Sequence, residues 1–463
     1  MTIKHRFSQM KKNKGLVALI SVIAAPFLIL ATGLAIDSGR AYLVKAKLFT
    51  AVDAAGIAAA RAVSEGEDAA RSAAAKMFTA NLPNGYHEST TVSPTLSFGY
   101  DEFGNVSIDV SASAQVNTTF LGVFGYSTLN LNATAQTVRR PVDLVLVVDN
   151  TTSLRLGSIG DVTEDVIERS KDFISNFNEN FDRVALVKYA YGGEVPVAFQ
   201  SSRGHVRSDI TSAIDAFNFG SWSNPQYTNA SEGFYLALDS IRNVDNPANL
   251  KVIVFFTDGA PNTFSSEFDF TSTSTNYTGS IRSSDDPSGT PRGLWRHNAI
   301  ATQLSGSGYQ GSNIDDRIAS LPDYYTPHNA DATEFKVLNP DHPYRPVYQY
   351  SPASNSANDL FTRINRVARN LVEDMAEAAR NEGIYVFTLG LGSALTSAAG
   401  PDNELGEDLL LRMANDPKLL DDADLADDYH ADQLEGVYCH AEDEQALGPC
   451  FDEMLNVIIR LTL

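Results

Sequence analysis

Cysteine is almost absent: the 463 residues contain two, Cys439 and Cys450, both near the end of the chain. So few thiols exclude a disulfide-stapled fold and a thiolate metal cage, and no CxxC pair is present for redox work. Basic residues are also scarce, with 35 Lys and Arg against 57 Asp and Glu and a net charge of −22. That balance argues against nucleic-acid binding, which needs cations to meet phosphates. There is no phosphate-cradling Gly loop, no H-E-x-x-H and no G-x-S-x-G, and His297, His328, His342, His430 and His440 are scattered. The chain is therefore read as non-enzymatic. The acidic run Asp421–Asp428 lacks the Gly and terminal Glu of a calcium loop and reads as a solvated face.

The few cations are unevenly placed. Lys4, Arg6, Lys11, Lys12 and Lys14 fill residues 1–14 without one acid, and residues 15–36 are uncharged. As helix, the uncharged run spans about 30 Å, the thickness of a bilayer core. Positive flanks stay in the cytoplasm, which predicts a single-pass membrane anchor with everything after Asp37 outside the cytoplasm. Pro26 is tolerable in a membrane helix. The rival reading is a cleaved signal peptide ending near Gly33-Leu34-Ala35. Outside the cytoplasm, Cys439 and Cys450 are expected to form a disulfide.

Residues 37–138 combine a helix with a sheet. Leu48, Val52, Ala55 and Ala59 fall on one helical stripe, and Ser64 with Glu67 forms a capping-box pattern for a second helix through Ala70, Ala73 and Met77. From Thr95 the period becomes two. Leu96, Phe98 and Tyr100, then Val106, Ile108 and Val110, predict a hairpin around "DEFGN", with a further strand at Leu129–Ala135. A membrane helix continuing into a long helix packed by an antiparallel sheet is a pilin-like arrangement.

From 139 to 463 strands alternate with helices. Val142–Asp149, Asp182–Ala190, Lys251–Gly259 and Gly383–Gly392 read as buried strands. Asp161–Glu179, Val206–Phe217, Asn229–Arg242, Asn358–Asn381 and Glu444–Ile458 read as helices. This alternation predicts an α/β fold with a doubly wound parallel sheet. A long insertion at about 260–357, rich in Ser, Thr, Asn, Pro and Tyr, is either a subdomain or a lid.

The strand ends carry the chemistry. "VDLVLVVDNTTSL" ends its apolar run at Asp149 and follows it with Thr151 and Ser153; "QYTNASEGF" offers Thr228; "FFTDGAPN" offers Asp258. Ligands bind outside the carboxyl ends of such strands, and two carboxylates with three hydroxyls suit a hard divalent cation. Mg²⁺ is the expected ion, with Mn²⁺ or Ca²⁺ as alternatives, and a partner's carboxylate would complete its shell.

The order Asp-x-Ser-x-Ser, then Thr, then Asp-Gly, resembles the metal-ion-dependent adhesion site (MIDAS) of von Willebrand factor A domains, with Thr151 where that family usually has Ser. A metal-free, degenerate A domain is the alternative. "KNKGLVALISVIAAPFLILATGLAIDSGRAYLVKAKLFTAVDAAGIAAARA" resembles the start of TadG-like proteins of the Flp (tight adherence) pilus system, including the D-x-G-R stretch at Asp37–Arg40. The resemblance implies an inner-membrane, periplasm-facing component of pilus assembly or anchoring that binds pilus-assembly or pilin proteins. A surface or pilus-associated adhesin is the alternative, and a metal-dependent hydrolase a further one that lacks a visible general base. Leu16 and Ile20 do not fit a prepilin cleavage site at Gly15.

Overall fold

The computed structural model describes residues 14–157, 159–271, 276–283, 290–305, 310–314, 317–350 and 357–462. Lys4, Arg6, Lys11 and Lys12 of the basic segment lie outside these. Two compact units divide between Arg139 and Arg140.

In the first unit, α1 (Lys14–Ala62) is one unbroken helix through Pro26. Its first part is long and apolar enough to cross a membrane, and its large apolar side chains, among them Val22, Phe27 and Leu28, are exposed. Its second part packs on α2 (Glu67–Asn81) and on a sheet of β1 (Ser89–Thr91), β2 (Thr95–Tyr100), β3 (Val106–Asn117) and β4 (Thr128–Arg139). Leu48, Val52, Ala55 and Ala59 are fully buried, as their stripe predicts. β3 pairs antiparallel with the other three strands and buries every second residue from Val106 to Val116. Gly56 lets the helix approach the sheet: a Cβ there would lie 2.5 Å from Thr137 Oγ1.

One local expectation is corrected. Ser64 does not cap α2; it lies in a 3₁₀ turn, Val63–Glu65, and the N-cap is Gly66 at φ 111° with no side-chain capping bond. The chain must turn back so that α2 can lie on α1, and only glycine takes that φ without strain. The buried face of α2 is consequently Ala70, Ala74 and Phe78, while Met77 is exposed.

The second unit runs β5 (Val142–Asp149), α3 (Ser153–Leu156), α4 (Thr163–Ser175), β6 (Arg183–Tyr189), β7 (Gly193–Val197), α5 (Arg207–Asp215), α6 (Ala230–Arg242) and β8 (Leu250–Thr257). After the insertion come α7 (Ala357–Asn381), β14 (Tyr385–Leu391), α8 (Gly406–Ala414), β15 (Tyr438–Ala441) and α9 (Glu444–Thr462). The sheet order is β15-β14-β8-β5-β6-β7, parallel throughout except for β7 at one edge. β5 is apolar on both faces because both are covered. Val145 and Val147 join the core with α6 and α7, while Leu144, Leu146 and Val148 join the core with α4, α5 and α9. Cys439 of β15 and Cys450 of α9 are joined as a disulfide, Cα–Cα 5.5 Å, which ties the other edge strand to its covering helix.

The insertion is a subdomain. Its strands β9 (Thr263–Phe270), β10 (Tyr277–Arg282), β11 (Arg292–Trp295), β12 (Ser312–Asn313) and β13 (Ile318–Ser320) form an antiparallel sheet in the order β12-β11-β10-β9-β13. Phe264, Phe268, Ile281 and Leu294 share one core with Phe234 of α6 and Ile364 of α7. A polar clasp adds to this: the fully buried Glu232 of α6 accepts from Tyr325 OH at 2.8 Å and meets His328 Nε2 at 2.5 Å.

Burial opposes the charge on His328, but the hydrogen bond and the charge of Glu232, with a smaller contribution from Asp239, raise its pKa above the ordinary value. Such a group stabilises the fold below the unfolded-state pKa and loses that contribution as pH rises through the folded one. Wild type should therefore exceed His328→Gln in stability at pH 5.5, and the gap should shrink by pH 8. Denaturant midpoints at the two pH values check this; a gap that widens with pH contradicts the clasp. Neighbouring His297 has a lowered pKa, mainly through burial, against the pull of Glu232 and with a smaller push from the charge of His328. That push is absent in His328→Gln, so His297 opposes the pH trend less in the variant, and the gap between the two proteins is set chiefly by the Glu232–His328 pair.

Candidate functional site

The sheet order reverses at β5. From β5 the chain goes to β6 on one side, then crosses to β8 on the other, so a crevice opens at the carboxyl ends of β5 and β8. Asp149 is the last residue of β5, Asp258 follows the last residue of β8, and Thr228 lies just before α6. The polar side chains predicted from sequence converge here. Ser153 Oγ lies 2.8 Å from Thr151 Oγ1 and donates to Asp258 Oδ1 at 2.7 Å, and Thr151 Oγ1 is 3.5 Å from the same oxygen. Thr228 Oγ1 lies 4.0 Å from where a Cβ on Gly259 would be, so its hydroxyl faces the Asp258–Gly259 turn.

Asp149, Thr151, Thr228 and Asp258 are buried, and Ser153 is half-buried. Burial pushes the Asp258 carboxyl well above the usual carboxylate range, and the charge of Asp149 pushes it further. Asp149 is also raised by burial, against the opposing hydrogen bonds it accepts. Neither carboxylate has a cationic side-chain partner among the described residues. The same residues hold no cluster of three or more His, Cys, Asp or Glu suited to a metal, so any ion here would depend on hydroxyls as much as on charge. Two unneutralised acids beside three hydroxyls fit a hard divalent cation.

Several supports were not visible in the sequence. Asp149 Oδ2 accepts from Thr257 Oγ1 at 2.7 Å and from Tyr189 OH at 3.2 Å, and Asp149 Oδ1 accepts from the Thr151 amide at 2.8 Å. The three loops are also tied to one another. The Gln226 amide donates to Thr152 Oγ1 (2.8 Å), and the Thr152 amide donates to the Gln226 carbonyl (3.3 Å). The Thr228 amide donates to Asn262 Oδ1 (3.1 Å), and the Asn262 amide returns a bond to the Thr228 carbonyl (3.1 Å). Asn150 Nδ2 donates to the carbonyl of Asn218 and to Gln226 Oε1, drawing the 218–226 loop onto the site. Two residues past Gly220 on that loop, Trp222 is 82% exposed.

Residues 143–279 match the von Willebrand factor type A domain family, and residues 15–62 match the Flp pilus-assembly TadE/G-like family. No curated protein matches the chain. Among solved structures, the chain is similar to the vWF domain of the type V pili tip protein Mfa5 from Porphyromonas gingivalis, at 15% identity and TM-score 0.39, covering 71% of this chain and 98% of that one. It is similar to the proximal thread matrix protein 1 of the mussel byssus, solved with a zinc-occupied MIDAS motif, at 11% identity and TM-score 0.34, covering 69% of this chain and 46% of that one. It is also similar to the PilB minor pilin from Streptococcus sanguinis, at 13% identity and TM-score 0.37, covering 80% and 79%. The chain thus joins a segment that matches the Flp pilus-assembly TadE/G-like family to an α/β domain that matches the von Willebrand factor type A family.

Proposed function

We propose that this chain is a non-enzymatic component of Flp pilus assembly or anchoring, held in the bacterial inner membrane by α1, with its second unit in the periplasm. Its A domain captures a pilus protein through a divalent cation. The observation that carries this reading is the gathering of Asp149, Thr151, Ser153, Thr228 and Asp258 at the β5/β8 crevice. These residues would hold Mg²⁺, or Mn²⁺ or Ca²⁺ in its place. The ion supplies a site for one carboxylate oxygen of the partner, because so few protein charges leave it electrophilic. The chain's own part is to fix the five donors: Tyr189 and Thr257 aim Asp149, while the Thr152–Gln226 and Thr228–Asn262 ties keep the loops in register.

Binding rather than turnover also suits the groups around the crevice. The described side chains hydrogen-bonded to the two acids are hydroxyls, with no histidine or lysine to move a proton. Trp222, exposed on the loop bonded to Asn150, is the kind of rigid aromatic that dominates interface energies. Affinity capture from membranes with tagged full-length protein tests the reading. A pilus protein should be retained in Mg²⁺ and released by EDTA, and Trp222→Ala should reduce retention without changing the fold. Retention indifferent to EDTA would defeat the cation-bridged mechanism.

A further inference from the structure

We propose that the β3–β4 loop, Phe120–Tyr126, is a second membrane contact, immersed in the outer interface of the phospholipid bilayer that α1 enters. This rests on reading α1 as the anchor. The loop has the wrong surface for water. Val123 is 81% exposed, Phe124 55% and Tyr126 65%, whereas exposed turn tips are ordinarily built from small and polar residues.

The loop is held at a defined height on the helix. Asp37, almost fully buried, accepts backbone hydrogen bonds from Thr119 (3.0 Å), Phe120 (2.9 Å) and Leu121 (2.8 Å). Phe120 lies directly over Gly33, where a Cβ would come within 2.4 Å of its ring. Leu30, Ala31 and Leu34 of α1 and Phe120, Leu121 and Phe124 of the loop line an open apolar groove of about 280 Å³.

These contacts place the loop beside the last two turns of the uncharged run. Leu30 lies about 10 Å along the helix axis from Asp37, matching the depth of about 5–10 Å at which amphipathic elements sit in the interface. Charge marks the aqueous boundary just above. Arg40 pairs with Glu88 at 2.8 Å and donates to the His87 carbonyl and to Thr119 Oγ1. Just below, Phe27, Leu28 and Ile29 are exposed on α1, so the apolar loop continues the apolar surface of the helix. Lipid is therefore the occupant that covers helix and loop together, and Tyr126 suits the headgroup level where aromatic residues concentrate.

The test uses a nitroxide on Val123→Cys in the full chain, reconstituted in phosphatidylethanolamine–phosphatidylglycerol vesicles. The native cysteines are paired, so the engineered thiol alone takes the label, and the exposed position tolerates it. Leu28→Cys reports the span and Ser72→Cys reports water. At Val123, collisions with an aqueous nickel chelate should be severalfold lower than at Ser72, with oxygen collisions as frequent as at Leu28. Nickel access equal to that of Ser72, with Leu28 still protected, would put the loop in water and overturn the proposal while leaving the anchor intact. Nickel access at Leu28 would overturn the anchor itself and the proposal with it. Exclusion of both reagents at Val123 would mean that a second copy covers the loop, and would also overturn it.

Discussion

Glu404→Ala should be among the most damaging single substitutions in the second unit, costing about 3–5 kcal/mol, because it leaves buried cations without their counter-charge. Glu404 sits among three arginines. Its Oε1 accepts from Arg345 Nη1 at 2.5 Å and also bonds Arg412, while Oε2 lies 3.5 Å from Arg369 Nη1. Arg345 and Arg369 are 1% exposed. Burial depresses Arg345 to about 10, with Glu404 opposing the loss of charge. Burial alone would raise the Glu404 carboxyl, but Arg345, Arg412 and Arg369 hold it below the ordinary range. Glu373, which bonds Arg345 and Arg412, and buried Asp428, 3.6 Å from Arg412, are two acids for three guanidinium groups, and neither is paired with Arg369. The chain's two tryptophans, Trp222 and Trp295, both lie in this unit, so denaturant unfolding followed by their fluorescence reads it alone. Asp215→Ala, which breaks the surface pair with Lys171, is the control and should cost less than about 1 kcal/mol. Equal losses in the two variants would mean that the arginine cluster is solvated in solution.

Nothing in the sequence around Glu404 announces this role. Its partners come from the insertion, from α7 and from α8, and a charge that is buried only in the folded state looks like any surface acid. β5 was legible for the opposite reason: an apolar residue at nearly every position fits only a strand covered on both faces, and Asp149 marks its end. Asp258 was legible as the acid ending a second such run, and Thr228 as the hydroxyl preceding a helix. Tyr189 and Thr257 were not, because their contact with Asp149 follows from register, with Tyr189 standing opposite Asp149 across the β5–β6 ladder. The insertion hid its core behind hydroxyls. Ser265 and Ser266 of β9 are fully buried, Ser265 bonded to Ser280 Oγ and Ser266 to the Tyr324 carbonyl, so polarity concealed a strand that hydrogen bonding satisfies. β15, at four residues, is too short to display a period.

The two acids of the crevice should respond to substitution in opposite ways when no cation is bound. Asp149 is an acceptor for three buried donors: the Thr151 amide and the hydroxyls of Thr257 and Tyr189. Asp149→Ala strands them, and an unsatisfied buried donor costs about 1–3 kcal/mol, so this variant should be markedly destabilised in EDTA. Asp258 is bonded chiefly by Ser153, with Thr151 at the limit of reach, and both hydroxyls can bond each other instead. Its charge, meanwhile, is repelled by Asp149 in a buried setting. Asp258→Ala should therefore leave the metal-free protein as stable as wild type, or more so. In cation the ranking changes. A ligand that binds only the folded state at about 100 times its Kd adds about 2.7 kcal/mol, a gain that wild type should show as a rise in Tm. Asp258→Ala should lose it almost entirely, whereas Thr151→Ala and Thr228→Ala, each removing a neutral donor, should keep part of it. Thermal unfolding of the four variants in EDTA and in Mg²⁺, Mn²⁺ or Ca²⁺ decides the matter. No rise in wild type with any of the three ions would mean that these acids shape the loops alone. A loss of metal-free stability in Asp258→Ala equal to that in Asp149→Ala would mean that both acids are structural acceptors.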